Sequence, residues 1–271
     1  MLVLAHISDT HFDGGRRAVR RAVRVMKYLN RLPGQLDAIL VTGDIADSAA
    51  AVEYEHARAA LQSDSVPILT CPGNHDARES FRSDFLLEDG SGPINRVHMV
   101  GDAVIAMCDS SIPGQSDGHL SEETLAWLQT VLDDAPPTAP IFIALHHPPV
   151  RLFSPIVDPI RLDAPDALAT IIANDSRIVA VLCGHAHTAA ITTFAGVPLI
   201  VGPSVSSVLG PEWEGDGITH DPIVDYATSP SVAFHVLDDD LRLTTHFRSI
   251  AKPDAGKRRG FRRGYSPHKH T

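Results

Sequence analysis

Cys71-Pro-Gly-Asn-His-Asp76 places an amide oxygen, an imidazole and a carboxylate side by side, directly after the apolar run Val66 to Thr70. A buried strand that stops in Gly-Asn-His-Asp delivers all three groups to one point in space. The chain repeats the device. His6-Ile-Ser-Asp-Thr-His11, Leu40-Val-Thr-Gly-Asp44, Ala144-Leu-His-His147 and Leu182-Cys-Gly-His-Ala-His187 are also apolar segments that end in metal-ligand residues. Each is a weak signal alone. Five strand ends aimed at one rim point to a binuclear metal site, because a histidine-only core would bury Asp9, Asp44 and several imidazoles without a counter-charge.

The elements that must position these residues follow from hydrophobic periodicity. Leu2 to Ile7 and Ala38 to Thr42 are continuous apolar runs apart from His6 and Thr42, the pattern of buried strands. Asp9 and His11, two apart, point to the same side of an extended backbone and so reach one metal. Gly43 lets the chain turn tightly before Asp44, whose two oxygens suit a bridge between two cations. Between these strands, Val19, Val23, Met26 and Leu29 recur at helical spacing over Arg16 to Leu32, and Arg16, Arg17, Arg20, Arg21 and Arg24 read as a solvated helix face. Asp47 reads as a helix N-cap rather than a partner of the site. Tyr54, Ala57 and Leu61 give the next helix its inward face. Ser80 to Leu87 forms a short helix with Phe81 and Phe85 inward. Val97 to Val100 and Ala103 to Met107 flank Gly101-Asp102 as a hairpin.

Ser121 caps a helix carrying Leu125, Leu128 and Leu132. Ile141 to Leu145 is a strand ending in His146-His147-Pro-Pro. Residues 148–164 make a Pro-rich loop over the pocket, and a helix at Pro165 to Ile172 leads to strand Ile178 to Cys183. Beyond it the pattern is strands alone: Ala190 to Phe194, Pro198 to Val201, Val232 to Leu237 and Leu241 to Phe247, with a second long loop over residues 203–231.

The 271 residues, 44% of them hydrophobic, suffice for one substantial core. We therefore expect one domain over residues 1–250 and a basic, disordered tail over 251–271. The stretch from Lys252 holds seven Lys/Arg against one acid, leaving 16 basic and 32 acidic residues before it. An acidic body argues against a nucleic-acid partner, and bound cations would be needed to attract an anionic substrate. No apolar run approaches the ~18 residues of a membrane span. The N-terminus lacks a signal-peptide pattern, and Cys71, Cys108 and Cys183 read as buried thiols, so the expected location is cytoplasmic. The sequence leaves a homodimer open.

Taken together, Asp-x-His, Gly-Asp, Gly-Asn-His-Asp, His-His-Pro and Gly-His-x-His resemble the calcineurin-like metallophosphoesterase superfamily over roughly residues 2 to 250. The segments His6 to His11, Gly43 to Asp47, Asp109 to Leu128 and Leu145 to Pro149 are most similar to its class III cyclic nucleotide phosphodiesterases. The resemblance implies a four-layer α/β/β/α sandwich of two mixed sheets with metals at the strand ends. It also implies Asp9, His11 and His187 on one metal, Asn74, His146 and His185 on the other, and Asp44 bridging. His146 is preferred to His147 because the family ligand stands two residues before a proline, here Pro148. His75 resembles the active-site histidine that contacts phosphate and leaving group, supported by Asp76.

The chemistry implied is hydrolysis of a small phosphodiester, with 3′,5′-cyclic AMP the first expectation. Two Mn, Fe or Zn ions roughly 3.5–4 Å apart would hold a bridging hydroxide, and His75 would protonate the departing alkoxide. The alternatives are another substrate of the same site (a glycerophosphodiester, a nucleotide-linked phosphate or a monoester) or a non-catalytic scaffold. His6, His98, His119, His220 and His235 carry no motif; of these His119 and His220, in loops, are the better candidates for substrate contact.

Overall fold

The computed structural model describes residues 1–34, 36–63, 65–214 and 224–251. The tail expected to be disordered and His220 lie outside them. The chain opens with β1 (Leu2–Ile7), α1 (Arg16–Leu29), β2 (Ala38–Thr42), α2 (Ala51–Ala60) and β3 (Ile68–Cys71). A helical segment, α3 (Arg78–Ser80), continues as a wider turn over Phe81–Leu86. Then come β4 (Arg96–Val100), β5 (Ala103–Cys108), α4 (Glu122–Asp134), β6 (Ile141–Leu145), α5 (Asp166–Asn174) and β7 (Ile178–Cys183). The last part is β8 (Ala190–Phe194), β9 (Val197–Val201), the short β10 (Val208–Leu209) and β11 (Val224–Asp225), β12 (Ser231–Leu237) and β13 (Leu243–Ser249).

Two mixed sheets result, ordered β13-β12-β1-β2-β3 and β4-β5-β6-β7-β9-β8. In the first, β1, β2 and β3 are parallel and β12 runs antiparallel to β1. In the second, β5, β6, β7 and β9 are parallel and both edge strands, β4 and β8, are antiparallel. The parallel strands are buried on both faces, which is why they read as unbroken apolar runs. Along β2, Ile39 and Val41 face outward to the α1–α2 layer, while Ala38 and Leu40 face the other sheet. Along β6, Ile143 and Leu145 meet the α4–α5 layer, while Phe142 and Ala144 face inward. Period-two alternation thus builds three apolar layers, and the α/β/β/α sandwich is the outcome.

His6 and His235 sit in the middle layer, both buried. One ring nitrogen of His6 meets His235 at 3.1 Å and the other meets Thr42 Oγ1 at 2.9 Å. These two imidazoles satisfy each other between the sheets; they are structural. The ring of His119 is taken up at the surface, with its Nδ1 2.6 Å from Asp163 Oδ1.

Arg16 and Arg20 of α1 are exposed, as a solvated face requires, but Arg17 and Arg21 correct that expectation. Arg21 is buried; its Nε donates to Val205 O at 2.5 Å and its Nη2 to Thr228 O at 2.8 Å. Arg17 donates to Ser206 O and Tyr226 O and lies 4.9 Å from the Tyr226 ring. Long side chains at helical spacing reach over the first sheet to loop carbonyls left unpaired between β9 and β12, which periodicity alone does not show.

Phe142 is fully buried between the sheets. Its replacement by alanine should cost about 3–5 kcal/mol, read from the denaturant midpoint at unchanged slope.

Candidate metal and phosphoester site

The parallel strands of both sheets end at one rim, the place where open α/β sheets present their loops to a ligand. β1 leads to Asp9 and His11, β2 to Asp44, β3 to Asn74 and His75, β6 to His146, and β7 to His185 and His187. The backbone there is strained. Asp9, His11, Asp44, His185 and His187 have φ of 51°, 41°, 49°, 68° and 55°. For non-glycine residues each such conformation costs about 1–2 kcal/mol, and such strain concentrates at functional sites. Asp9 and His11 therefore do not converge by alternation along an extended strand, as the sequence suggested; each turns inward through a left-handed residue. Gly43 and Gly73 are needed for close approach, since a Cβ there would collide with the His146 ring and the Asp44 carboxylate.

The side chains form two adjoining groups. In one, His11 Nε2 is 3.1 Å from His187 Nε2 and 3.5 Å from Asp44 Oδ2, and His187 Nε2 is 3.7 Å from Asp9 Oδ1. In the other, His146 Nε2 lies 3.1 Å from Asn74 Oδ1, 3.2 Å from His185 Nδ1 and 3.3 Å from Asp44 Oδ2. Asp44 Oδ2 belongs to both. Donor atoms each about 2.0–2.2 Å from a shared ion would stand at spacings of this size.

Three of the rings are oriented for that role by what they do on the far side. His11 Nδ1 donates to Asp47 Oδ1 at 3.0 Å and His146 Nδ1 to Thr42 O at 2.7 Å, while His187 Nδ1 pairs with Ser207 Oγ at 2.8 Å. An acceptor on one ring nitrogen leaves the other as a lone pair facing inward. Asp9 Oδ2 is buried without a hydrogen-bond partner among the described residues. His147 differs: both ring nitrogens are engaged, Nδ1 with Ser110 Oγ at 2.8 Å and Nε2 with Ser116 O at 3.2 Å. Although His146, His147 and His185 approach one another closely, it is His146 that turns toward Asp44.

The electrostatics describe a site that requires positive charge. Burial works against the Asp44 carboxylate, but His146, His11 and His75 outweigh it and hold its pKa well below the usual range. Burial also opposes a charge on His146, yet Asp44 and Asp9 push it up to about 9. His11 is likewise raised, Asp47 and Asp44 outweighing burial. His185 is pushed down to about 3 by burial and by His146. The raised His146 and His11 and the lowered Asp44 share one cause, buried carboxylates whose charge a cation at this place would also compensate.

Asp76 lies beneath these loops. Its carboxylate accepts from the backbone N–H of Ile45, Ala46 and Gly73, each at 3.0 Å, and from Tyr54 Oη–H at 3.1 Å. It thereby joins the turn after β2 to the turn after β3. Burial and Asp44 push its pKa up to about 6 against those backbone donors. Asp47 corrects another expectation. It does not cap α2, where Glu53 takes the backbone N–H of Ser48 and Ala50. Asp47 instead holds His11, and its carbonyl accepts from His75 Nδ1–H at 2.7 Å. His75 donates its backbone N–H to Asp44 Oδ1 at 2.9 Å, and its exposed ring stands edge-on to His11.

Sequence reasoning missed Ser204, Ser206 and Ser207, buried beneath His187. Their signal was available: β9 is one more apolar strand ending in small polar residues, Gly202-Pro-Ser-Val-Ser-Ser. Ile156, Val157 and Ile160, from the 148–164 loop, cover the site beside His185 and His187 around a small cavity of about 100 Å³. A larger one, about 740 Å³, opens on the other side of His75.

The model of the calcineurin-like phosphoesterase family matches residues 2–189. The chain belongs to that family. A glycerophosphodiester phosphodiesterase of Enterobacter lignolyticus is 32% identical over 75% of this chain and 77% of its own length. A cAMP/cGMP dual specificity phosphodiesterase of Mycobacterium tuberculosis is 34% identical over 73% of this chain and 66% of its own. A solved dimetal phosphatase from Danio rerio matches with a TM-score of 0.69 at 16% identity, over 93% of this chain and 97% of that one, which supports the fold. This calcineurin-like phosphoesterase is accordingly a hydrolase of phosphoric esters, and its His/Asp cluster fits the metal ions the family uses. Among the described residues no helix is long and apolar enough to cross a membrane.

Asp76→Asn would set an amide N–H against backbone N–H donors. With chelator present, so that ion binding makes no contribution, the variant should lose about 2–4 kcal/mol of unfolding free energy by denaturant titration.

Proposed function

We propose that the chain is a metal-dependent phosphodiesterase of small diesters. The observation that carries this is the shared Asp44 oxygen between two groups of inward-facing nitrogen and oxygen donors. Asp9, His11, Asp44 and His187 would hold one ion, and Asn74, His146, His185 and the same Asp44 the second. Such ions supply a nucleophile at neutral pH and neutralise charge on the phosphoryl oxygens. The donor set, with oxygen and imidazole nitrogen but no thiolate, suits Mn, Fe or Zn.

The chain's own residues do the rest. His75 is fixed by Asp47 O on Nδ1, so Nε2 is the nitrogen that carries a proton to the departing oxygen. An alkoxide is a poor leaving group, and a positioned acid contributes about 10²–10⁴-fold. Asp76 keeps His75 and Asp44 in register through the two turns it joins. Ile156, Val157 and Ile160 exclude water from one side. Two diesters are the natural substrates to try: 3′,5′-cyclic AMP, which the motif segments and one relative suggest, and a glycerophosphodiester, which another relative suggests.

Bis(p-nitrophenyl) phosphate should be cleaved in the presence of Mn²⁺, faster than p-nitrophenyl phosphate, with activity lost on chelation. His75→Ala should lower kcat on a diester with an alkyl leaving group about 10²–10⁴-fold, and less on the nitrophenolate, which departs without a proton. Cleavage confined to the monoester would make this a phosphatase instead.

A further inference from the structure

The larger cavity, about 740 Å³, begins at Asn74 and His75, on the side where a leaving group protonated by His75 would depart. Its walls are uniform in character. Ser48, Ser80, Ser91 and Ser111 line it, together with Arg78, Arg82, Glu79 and Asp47 and the backbone of Gly90 and Gly92. Among the described residues, no aromatic ring apart from His75 faces it, and no aliphatic side chain larger than proline. An acyl chain finds no apolar wall there, and a nucleobase would have only the His75 imidazole and the guanidinium planes to stack on.

Arg78 gives the cavity its direction. Its Nε donates to Asp109 Oδ2 at 2.7 Å and its Nη2 to Ser111 O at 2.6 Å. Asp109 is fully buried and is itself held by the backbone N–H of Ile94 and Ser111. One edge of the guanidinium is thereby locked, while Nη1 has no partner among the described residues. The charge of Arg78 is already compensated by Asp109. Arg82, on the far wall, donates its Nη2 to the carbonyls of Ser91, Gly92 and Pro93. Glu79 stands on the same lining as the two guanidiniums, so the cavity presents a carboxylate as well as cations. It offers the remaining Nη1 of the fixed Arg78 guanidinium as a donor and Glu79, whose carboxylate has no hydrogen-bond partner among the described residues, as an acceptor. Hydroxyl groups, which both accept and donate, match that pair.

We propose that this cavity receives the leaving-group half of the diester and selects a hydroxylated, non-aromatic alcohol of the polyol or sugar kind, with Arg78 and Glu79 as its specificity-determining residues. This rests on the phosphodiesterase reading above, and of the two diesters named there it favours the one whose leaving group is glycerol.

The test compares kcat/KM of the full chain with Mn²⁺ on glycerophosphoglycerol, 3′,5′-cyclic AMP and bis(p-nitrophenyl) phosphate, for wild type, Arg78→Lys and Glu79→Gln. Arg78→Lys keeps a cation for Asp109 but loses the Nη1 donor. Glu79→Gln changes an exposed residue and decides the matter if the first variant does not fold. Wild type should prefer the glycerol diester to cyclic AMP by at least about 10-fold. Each variant should lower the ratio of glycerol diester to bis(p-nitrophenyl) phosphate by roughly 5- to 50-fold, mainly through KM. A preference for cyclic AMP, or a ratio that neither variant moves, overturns the proposal while leaving the phosphodiesterase intact. Failure to cleave even bis(p-nitrophenyl) phosphate with Mn²⁺ removes both.

Discussion

One carboxylate governs the arrangement. Asp44 is buried at the junction of two sheets, and its charge is tolerated only because His146, His11 and His75 surround it. An isolated carboxylate moved into such a site would neutralise itself rather than pay the desolvation cost. The fold must therefore bring imidazoles to it from three separate strand ends. That requirement explains the close approach at Gly43 and Gly73, the left-handed backbone at five of the seven candidate ligands, and the buried Asp76 that fastens two turns together.

The division of labour between strands and strand ends follows. The strands are buried on both faces and need only alternate apolar side chains between an inner and an outer layer. Their ends carry the strain. Stability gathered in three apolar layers offsets conformations that would be unfavourable in isolation. The buried His6–His235 pair meets the Thr42 hydroxyl, while the Thr42 carbonyl orients His146, so the middle layer abuts the site at this residue.

The fold was legible because its signals are local. Runs such as Ala38 to Thr42 and Ile141 to Leu145 are too short for helices and too apolar for surface strands. The ligand types were legible because each closes such a run. What was not legible depends on contacts across the chain. Asp47 looks like a cap in sequence, since the donor it accepts from, His11 on another strand end, is 36 residues away. Arg17 and Arg21 look solvated because the carbonyls they meet lie near residues 205–228. The inward turn of Asp9 and His11 depends on left-handed backbone that no spacing rule forecasts. His146 and His147 are alike in sequence and are distinguished by Ser110 and Ser116, which engage only the second.

The central claim is that Asp44 is shared by two ions. Metal content of the purified chain, determined by elemental analysis after equilibration with Mn²⁺ or Zn²⁺ and removal of excess, tests it most directly. The account predicts two ions per chain in the wild type and one in His146→Ala, where the Asn74–His185 group is broken while Asp9, His11 and His187 remain. One ion or none in the wild type, or two retained in His146→Ala, would contradict it.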